Sequence, residues 1–318
     1  MTVIDKIKTA QKTLFTFELM PPLKGNSFDE IAQTVEQLLP YHPAYINITN
    51  HRTEQVLVEH PDGSIEKLTL KKRAGTASIA AAIQYKYGID VVPHLVCGGC
   101  TRSEIEDMLT DFDFLGIHNV LVLRGDPAKG EQHFVPTKDG YRYAVEALQQ
   151  AMQMNAGHYL DESLHDAHST HFCAGVAGYP EMHSESSDFD ADLLHLKNKV
   201  EQGASYIVTQ MFFDNQKYFR FVNECRKIGI EVPIIPGIKP LATSKQLTVL
   251  PQIFHIELPQ KLVDNVQRCT SPQDVRKVGQ EWCLEQCTEL IKHKVPALHF
   301  YTMSKADNVE TVVRAIFG

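Results

Sequence analysis

A series of polar side chains in this chain stands where apolar runs stop: Glu18, Thr49, His94, Arg124, Asp126, Tyr179, Glu181, His183, Gln210 and Tyr301. The clearest case is Asn119-Val-Leu-Val-Leu-Arg-Gly-Asp-Pro127, an unbroken apolar run that ends on opposite charges separated by one glycine. Such a run reads as a strand buried on both faces, and the proline stops it. Glu18 sits in Phe17-Glu18-Leu19-Met20-Pro21. A carboxyl among apolar neighbours holds its proton towards neutral pH and suits a general acid. If a Lys or Arg from a neighbouring strand pairs with it, its pKa falls instead. Any one of these residues is what a polar loop would supply anyway; their number and shared address at strand ends carry the weight.

The elements that would position them alternate. Strands are predicted at residues 14–20, 44–50, 90–97, 119–124, 172–178, 205–213, 232–238 and 297–302. Helices are predicted at 27–39, 76–87, 102–115, 139–154, 189–202, 215–228, a long stretch near 244–293, and 307–317. Ser27 with Glu30 three residues later predicts a capping box, and Gly88 a helix stop. Eight strand–helix units imply an α/β fold with a closed parallel (β/α)8 barrel. One domain over 1–318 is expected, with rim insertions near 51–73, a hairpin around Pro61-Asp62-Gly63-Ser64, and near 155–171, a His-rich loop. In such a barrel the strand C-terminal ends converge on one mouth, where active sites form.

Composition narrows the partners. A net charge of −8 without Lys/Arg runs argues against nucleic acid or an anionic membrane as the main partner. No apolar run is long enough to span a bilayer, and the N-terminus lacks a secretory apolar core. Seven cysteines at scattered spacings do not form a disulfide framework, so a reducing cytoplasm is expected. Arg124-Gly125-Asp126 ends a buried strand, which weakens an adhesion reading. There is no G-x-G-x-x-G and no Walker A sequence. Cys97-Gly-Gly-Cys100 is a single pair without a thioredoxin-like setting. His165, His168 and His171 have ligand-like spacing but no evident carboxylate, so no metal site is expected. On the helix at 189–202, Asp192, His195 and Lys199 share a face. That face is either a solvated edge or an edge for a phosphate and ribose, with Lys199 facing the anion.

In order and spacing, several motifs together resemble the methylenetetrahydrofolate reductase family, in its short bacterial form. They are Phe17-Glu-Leu-Met-Pro-Pro22, Pro93-His-Leu95, Leu123-Arg-Gly-Asp-Pro127, Tyr179-Pro-Glu-Met-His183, Thr209-Gln-Met-Phe-Phe-Asp214, Ile235-Pro-Gly-Ile238 and His299-Phe-Tyr-Thr302. The resemblance implies a barrel flavoenzyme with non-covalent FAD. NADH or NADPH would give hydride to the flavin, and 5,10-methylenetetrahydrofolate would then take it in a ping-pong cycle that forms 5-methyltetrahydrofolate. It implies Glu18 as the general acid that protonates the departing nitrogen. Asp126 would lie beside flavin and pterin as the carboxylate that stabilises the cationic iminium. Gln210 and Gln246 would contact the folate. Thr49, His94, Arg124, Gly125, Tyr179, His183, Asp192 and Lys199 would bind FAD, with Thr49 also near substrate. His195 and Asn198 stand where some relatives carry Asn and Arg, so the phosphate end of FAD would be held differently. Lys305 stands where others have Arg, which loses bidentate geometry at that substrate contact. A homo-oligomer is expected, as is the lack of a regulatory domain. Two rival readings remain: another barrel flavoenzyme, acting on an amino acid such as proline, and a non-catalytic folate- or flavin-binding subunit.

Overall fold

The computed structural model describes residues 1–318 except Lys129 and Gln132, with only the backbone of Gln55. Eight parallel strands close into a barrel, ordered in the ring as in the chain. They are β1 (Leu14–Leu19), β2 (Tyr45–Ile48), β5 (Val91–Val96), β6 (Asn119–Leu123), β7 (Cys173–Gly178), β8 (Tyr206–Met211), β9 (Ile234–Ile238) and β10 (Ala297–Tyr301), the last pairing back onto β1. A separate antiparallel pair, β3 (Glu54–Glu59) and β4 (Ile65–Leu70), forms the expected hairpin. The helices are α1 (Val3–Thr9), α2 (Asp29–Leu38), α3 (Thr76–Tyr87), α4 (Arg102–Phe114), α5 (Ala144–Asn155), α6 (Phe189–Glu201), α7 (Asn215–Lys227), α8 (Gln246–Phe254), α9 (Gln260–Gln267), α10 (Pro272–Lys292) and α11 (Asp307–Phe317).

Strand alternation sorts the apolar side chains into two layers. Phe17, Leu19, Ile46, Val122, Val176, Ile207 and Phe300 face outward and pack with helix residues such as Ile31, Val35, Leu109, Leu148 and Val312. Inside, Tyr45, Val92, Leu121, Tyr206 and Ile235 fill the lower barrel. Helix α1, absent from the sequence expectation, plugs that end. Val3 is fully buried in the lower cluster. Its N–H donates to Asn119 Oδ1 at 2.8 Å, and Asn119 Nδ2 donates to the Met1 carbonyl at 3.1 Å. The signal for α1 was the Thr2–Asp5 capping box. With the lower end filled, only the C-terminal mouth is open for chemistry.

Three boundaries differ from expectation. Ser27 does not cap α2: Phe28 holds that position without a side-chain bond, because the Ser27 hydroxyl binds Asp29 and Glu30 takes Asn26 instead. Helix α5 begins only at Ala144, since Asp139 lies at φ 60° and Gly140 bridges to Thr101. The stretch at 244–293 is three helices. His255 adopts φ 52°, Pro259 precedes α9, and Ser271 caps α10 with Pro272 in its first turn. Gln246, inside the stretch expected to be helical, is the first residue of α8.

Both rim insertions are anchored. The hairpin base is stitched to the loop after β1 by Lys24 N–H to Lys72 O, Ala74 N–H to Pro22 O, and the Arg73 guanidinium to Pro21 O at 2.7 Å. The 155–171 loop is tied by Asn155, whose Oδ1 accepts from the Thr170 hydroxyl and Phe172 N–H. Among the described residues no group of three His, Cys, Asp or Glu side chains could hold a metal ion. His168 instead leans on Asp113 at 3.4 Å. Cys97 and Cys100 are free, and burial pushes the Cys97 thiol up to about 12, far from a reactive thiolate.

One glycine decides the upper barrel. A Cβ at Gly237 would stand 2.2 Å from the Thr209 carbonyl oxygen and 2.6 Å from the Tyr301 ring. The Tyr301 hydroxyl crosses to that same carbonyl at 2.8 Å. Gly237→Ala should therefore cost about 1–3 kcal/mol, read as a lower urea midpoint; an unchanged midpoint would show that the strands can part without cost.

Candidate active site at the barrel mouth

Glu18 lies near the C-terminal end of β1 on the inner face, with a side chain 14% exposed. Burial raises its carboxyl from the ordinary range to about 7, partly opposed by the nearby Lys239 ammonium. A cation is therefore near, but among the described residues it forms no ion pair with Glu18, and desolvation wins. Across the barrel His94 Nε2 is 3.6 Å from Glu18 Oε2. Burial lowers the His94 imidazole to about 3, so at neutral pH this is an uncharged ring beside a carboxyl rather than an ion pair. Asn47 Nδ2 donates to the same His94 nitrogen at 3.4 Å. The one lone pair of Nε2 is then taken by Asn47, and the Glu18 carboxyl at 3.6 Å is a close contact without a hydrogen bond. Below, His299 Nδ1 pairs with Thr16 Oγ1 at 2.8 Å, and burial lowers His299 to about 3. Asn47 Oδ1 and His299 Nε2 are buried without a protein partner. Glu18 is thus set over a neutral polar layer.

The ends of β6 and β7 and helix α6 form a second, charged side. Arg124 is held by both oxygens of Glu185, Nη2 to Oε1 at 2.8 Å, and lies 4.8 Å over the Phe134 ring. The guanidinium keeps Glu185 below the usual carboxylate range. Gly125 takes φ 88°, and a Cβ there would strike Val96 Cγ1 at 2.7 Å. Asp126 is exposed and makes no hydrogen bond among the described residues. It is close enough to Tyr179 to help burial raise that phenol to about 12. Tyr179 meets His183 edge-on at 4.7 Å. Asp192 on α6 accepts from the His183 N–H and the Ser186 hydroxyl, pinning the loop after β7. Lys199 reaches the Ala177 carbonyl at 3.2 Å, and burial lowers it to about 8. His195 is exposed one turn earlier on α6 and makes no hydrogen bond or ion pair among the described residues. Thr49, at the end of β2, shares its hydroxyl with His51 Nε2 at 3.0 Å.

On the third side, Gln210 follows an irregularity in the β8–β9 pairing. Its Oε1 accepts from the Met211 N–H at 2.9 Å, leaving the NH2 free. A narrow cleft lined by Tyr179, Glu181, Gln210, Met211, Phe254 and Ile256 opens beside it. Glu181 anchors its wall through Lys217 and the Glu257 N–H. Gln246 Oε1 accepts from Ala242 and Thr243 N–H groups and shapes the loop after β9. Lys305 is exposed, beyond the mouth proper.

The structure therefore gathers Glu18 and His94 at the centre, and Arg124, Tyr179, His183, Asp192 and Lys199 on one flank. His195 and Lys305 stay at the periphery. Sequence reasoning missed Lys239, Asn47, His299 and Glu185. Lys239 follows the end of β9, so the strand-end rule that selected Arg124 would have selected it too. Glu185 had no local signal.

Comparison with known proteins agrees with this geometry. The family model described as methylenetetrahydrofolate reductase matches residues 3–316. Methylenetetrahydrofolate reductase (NADH) 1 of Arabidopsis thaliana is 30% identical over 317 residues, covering 96% of this chain and 49% of that protein. The 5,10-methylenetetrahydrofolate reductase of Salmonella typhimurium is 27% identical over 295 residues, covering 92% and 86%. This chain spans about half the length of the plant, worm and yeast relatives it matches. Among solved structures, an uncharacterised Clostridium thermocellum protein that binds two copies of 5-methyl-5,6,7,8-tetrahydrofolic acid superposes with a TM-score of 0.57 at 15% identity, with 99% of each chain covered. That likeness speaks to the barrel alone. The family model matched over nearly the whole chain leads to one conclusion: this chain belongs to the methylenetetrahydrofolate reductase family.

Proposed function

We propose that this chain reduces 5,10-methylenetetrahydrofolate to 5-methyltetrahydrofolate, with NADH or NADPH as the hydride source and non-covalent FAD as the carrier. The observation that carries the reading is Glu18: a carboxyl at the open mouth, buried enough to keep its proton near pH 7 and so able to give it up in catalysis.

The charged flank fits an extended dinucleotide. Arg124 and Lys199 supply two cations for a pyrophosphate, and Thr49 and His183 supply polar contacts. Lys199 is half-buried, and among the described residues its hydrogen-bond partner is the Ala177 carbonyl alone, which leaves donors free for an anion. When bound there, FAD would supply a hydride carrier that serves the nicotinamide nucleotide and the folate in turn, the basis of ping-pong kinetics. The chain's own residues do the rest. Glu18 delivers a proton to the nitrogen that leaves as the folate imidazolidine ring opens. Asp126 places a carboxylate over the mouth, where the resulting iminium cation needs negative charge. The free Gln210 amide can pair with the pterin edge once it turns from Met211. The same reading places the enzyme in the cytoplasm as a homo-oligomer, consistent with its free cysteines.

The test is a visible spectrum of the purified protein under anaerobic conditions. A yellow protein that bleaches with NADH and recolours with methylenetetrahydrofolate is expected. A protein that stays colourless and inactive after FAD is added would overturn the reading.

A further inference from the structure

Lys239 is the residue after β9 and is only 9% exposed. Its neighbour Ile238 packs outward among the helices, so alternation turns Gly237 and Lys239 into the barrel. Gly237 lies opposite His299 and Ile238 opposite Phe300 on β10. One further step sets Lys239 level with Tyr301, which is itself the partner of Glu18 on β1. Glu18, Tyr301 and Lys239 thus occupy one row across the mouth. Tyr301 cannot donate to Glu18, because its hydroxyl proton is committed to the Thr209 carbonyl at 2.8 Å.

Among the described residues Lys239 makes no hydrogen bond or ion pair, unlike Lys199 and Lys217, which have partners. A buried ammonium without a partner costs folding energy; an aliphatic side chain would fill the position at less cost. Burial lowers the Lys239 ammonium, and among the described residues Glu18 is the charged group that opposes this, while Lys239 in turn lowers Glu18. The other titratable groups facing the carboxyl do not oppose burial. His94 on β5 and His299 on β10 are held neutral by burial, and burial keeps the Tyr301 phenol protonated. Asn47, opposite Glu18 on β2, is uncharged.

We propose that Lys239 is a positioning residue that sets how readily Glu18 releases its proton, through the ammonium it places in the same row of the barrel mouth. Burial alone would hold the proton too firmly for quick delivery; a full ion pair would strip it before substrate arrived. An unpaired cation one strand beyond Tyr301 gives an intermediate setting. The inference rests on the proposed role of Glu18 as proton donor.

The first readout needs neither cofactor nor turnover. Infrared difference titration would follow the Glu18 carboxyl, identified as the band missing in Glu18→Gln, in the parent protein, Lys239→Met and Lys239→Arg. In Lys239→Met the midpoint should rise by about one pH unit or more, a tenfold change in proton affinity. Lys239→Arg should stay near the parent. Lys239→Gln serves as the neutral variant if the methionine protein does not fold. In the folate half-reaction, the alkaline fall in rate should move up by the same amount in the neutral variant, while reduction by NADH keeps its pH profile. Equal midpoints in the parent and the neutral variant would overturn the proposal. Absence of folate turnover in the parent would instead count against the proposed function, and the infrared result would still stand by itself.

Discussion

Glu18→Gln is expected to slow methylenetetrahydrofolate reduction by about 10²–10⁴-fold, the usual contribution of a positioned general acid. NADH oxidation with an artificial acceptor should persist, because that half of the cycle needs no proton from this side chain. Glutamine keeps the shape and removes only the transferable proton. In the parent enzyme the folate half-reaction should fall about tenfold per pH unit above the carboxyl's value of about 7. The same substitution should stabilise the fold, and the sign follows from the raised value. Between the ordinary carboxylate range near 4.5 and about 7, the folded protein keeps a proton the unfolded chain has lost. Stability contributed by this site therefore declines as pH rises through that window, and the deficit is complete above it. Removing it should gain on the order of 3 kcal/mol at pH 8, and nothing at pH 4. Urea melts at the two pH values measure this. A variant with full folate activity, or one less stable at pH 8, would remove Glu18 from the role.

Asp126→Asn should slow the folate half-reaction by about 10²-fold, comparable to removing one preorganised electrostatic contact at a developing charge. Asp126 stands exposed past the end of β6, without a hydrogen bond that would commit it elsewhere. Its proximity to Tyr179 places it over the flank where Arg124 and Lys199 gather. On the proposed reading the two carboxyl groups would divide the work by environment: Glu18, buried, would give the proton, and Asp126, open, would offer charge. Stopped-flow measurement of each half-reaction separates the roles. Selective loss of folate reduction supports iminium stabilisation. An equal fall in both halves, with weaker FAD retention, would make Asp126 a cofactor contact only.

Much of the architecture was legible because it rests on local signals. The buried runs at 119–123 and 234–238, and Gly88 at a left-handed φ of 63°, are readable one segment at a time. The errors arose where local signals compete. Ser27 and Glu30 spell a capping box, yet each found another partner. The helical pattern through 244–293 is continuous by composition, but His255 and Pro259 break it where the chain must turn back to the barrel. Helix α1 is too short to stand out by periodicity; its one local signal is the Thr2–Asp5 capping box, and its place is fixed by the bond of the Val3 N–H to Asn119.

The sequence by itself determined the strand–helix rhythm, the barrel that follows from it, and which residue types stand at strand ends, because periodicity and motif order are properties of neighbouring residues. The tertiary structure alone decided the electrostatics of the mouth. Whether Glu18 is paired or desolvated depends on which side chains the ring brings within reach from β5, β9 and β10, far away along the chain. Closure set it against the neutral His94 and in a row with Lys239, and the balance of burial against one unpaired cation placed its proton near neutrality.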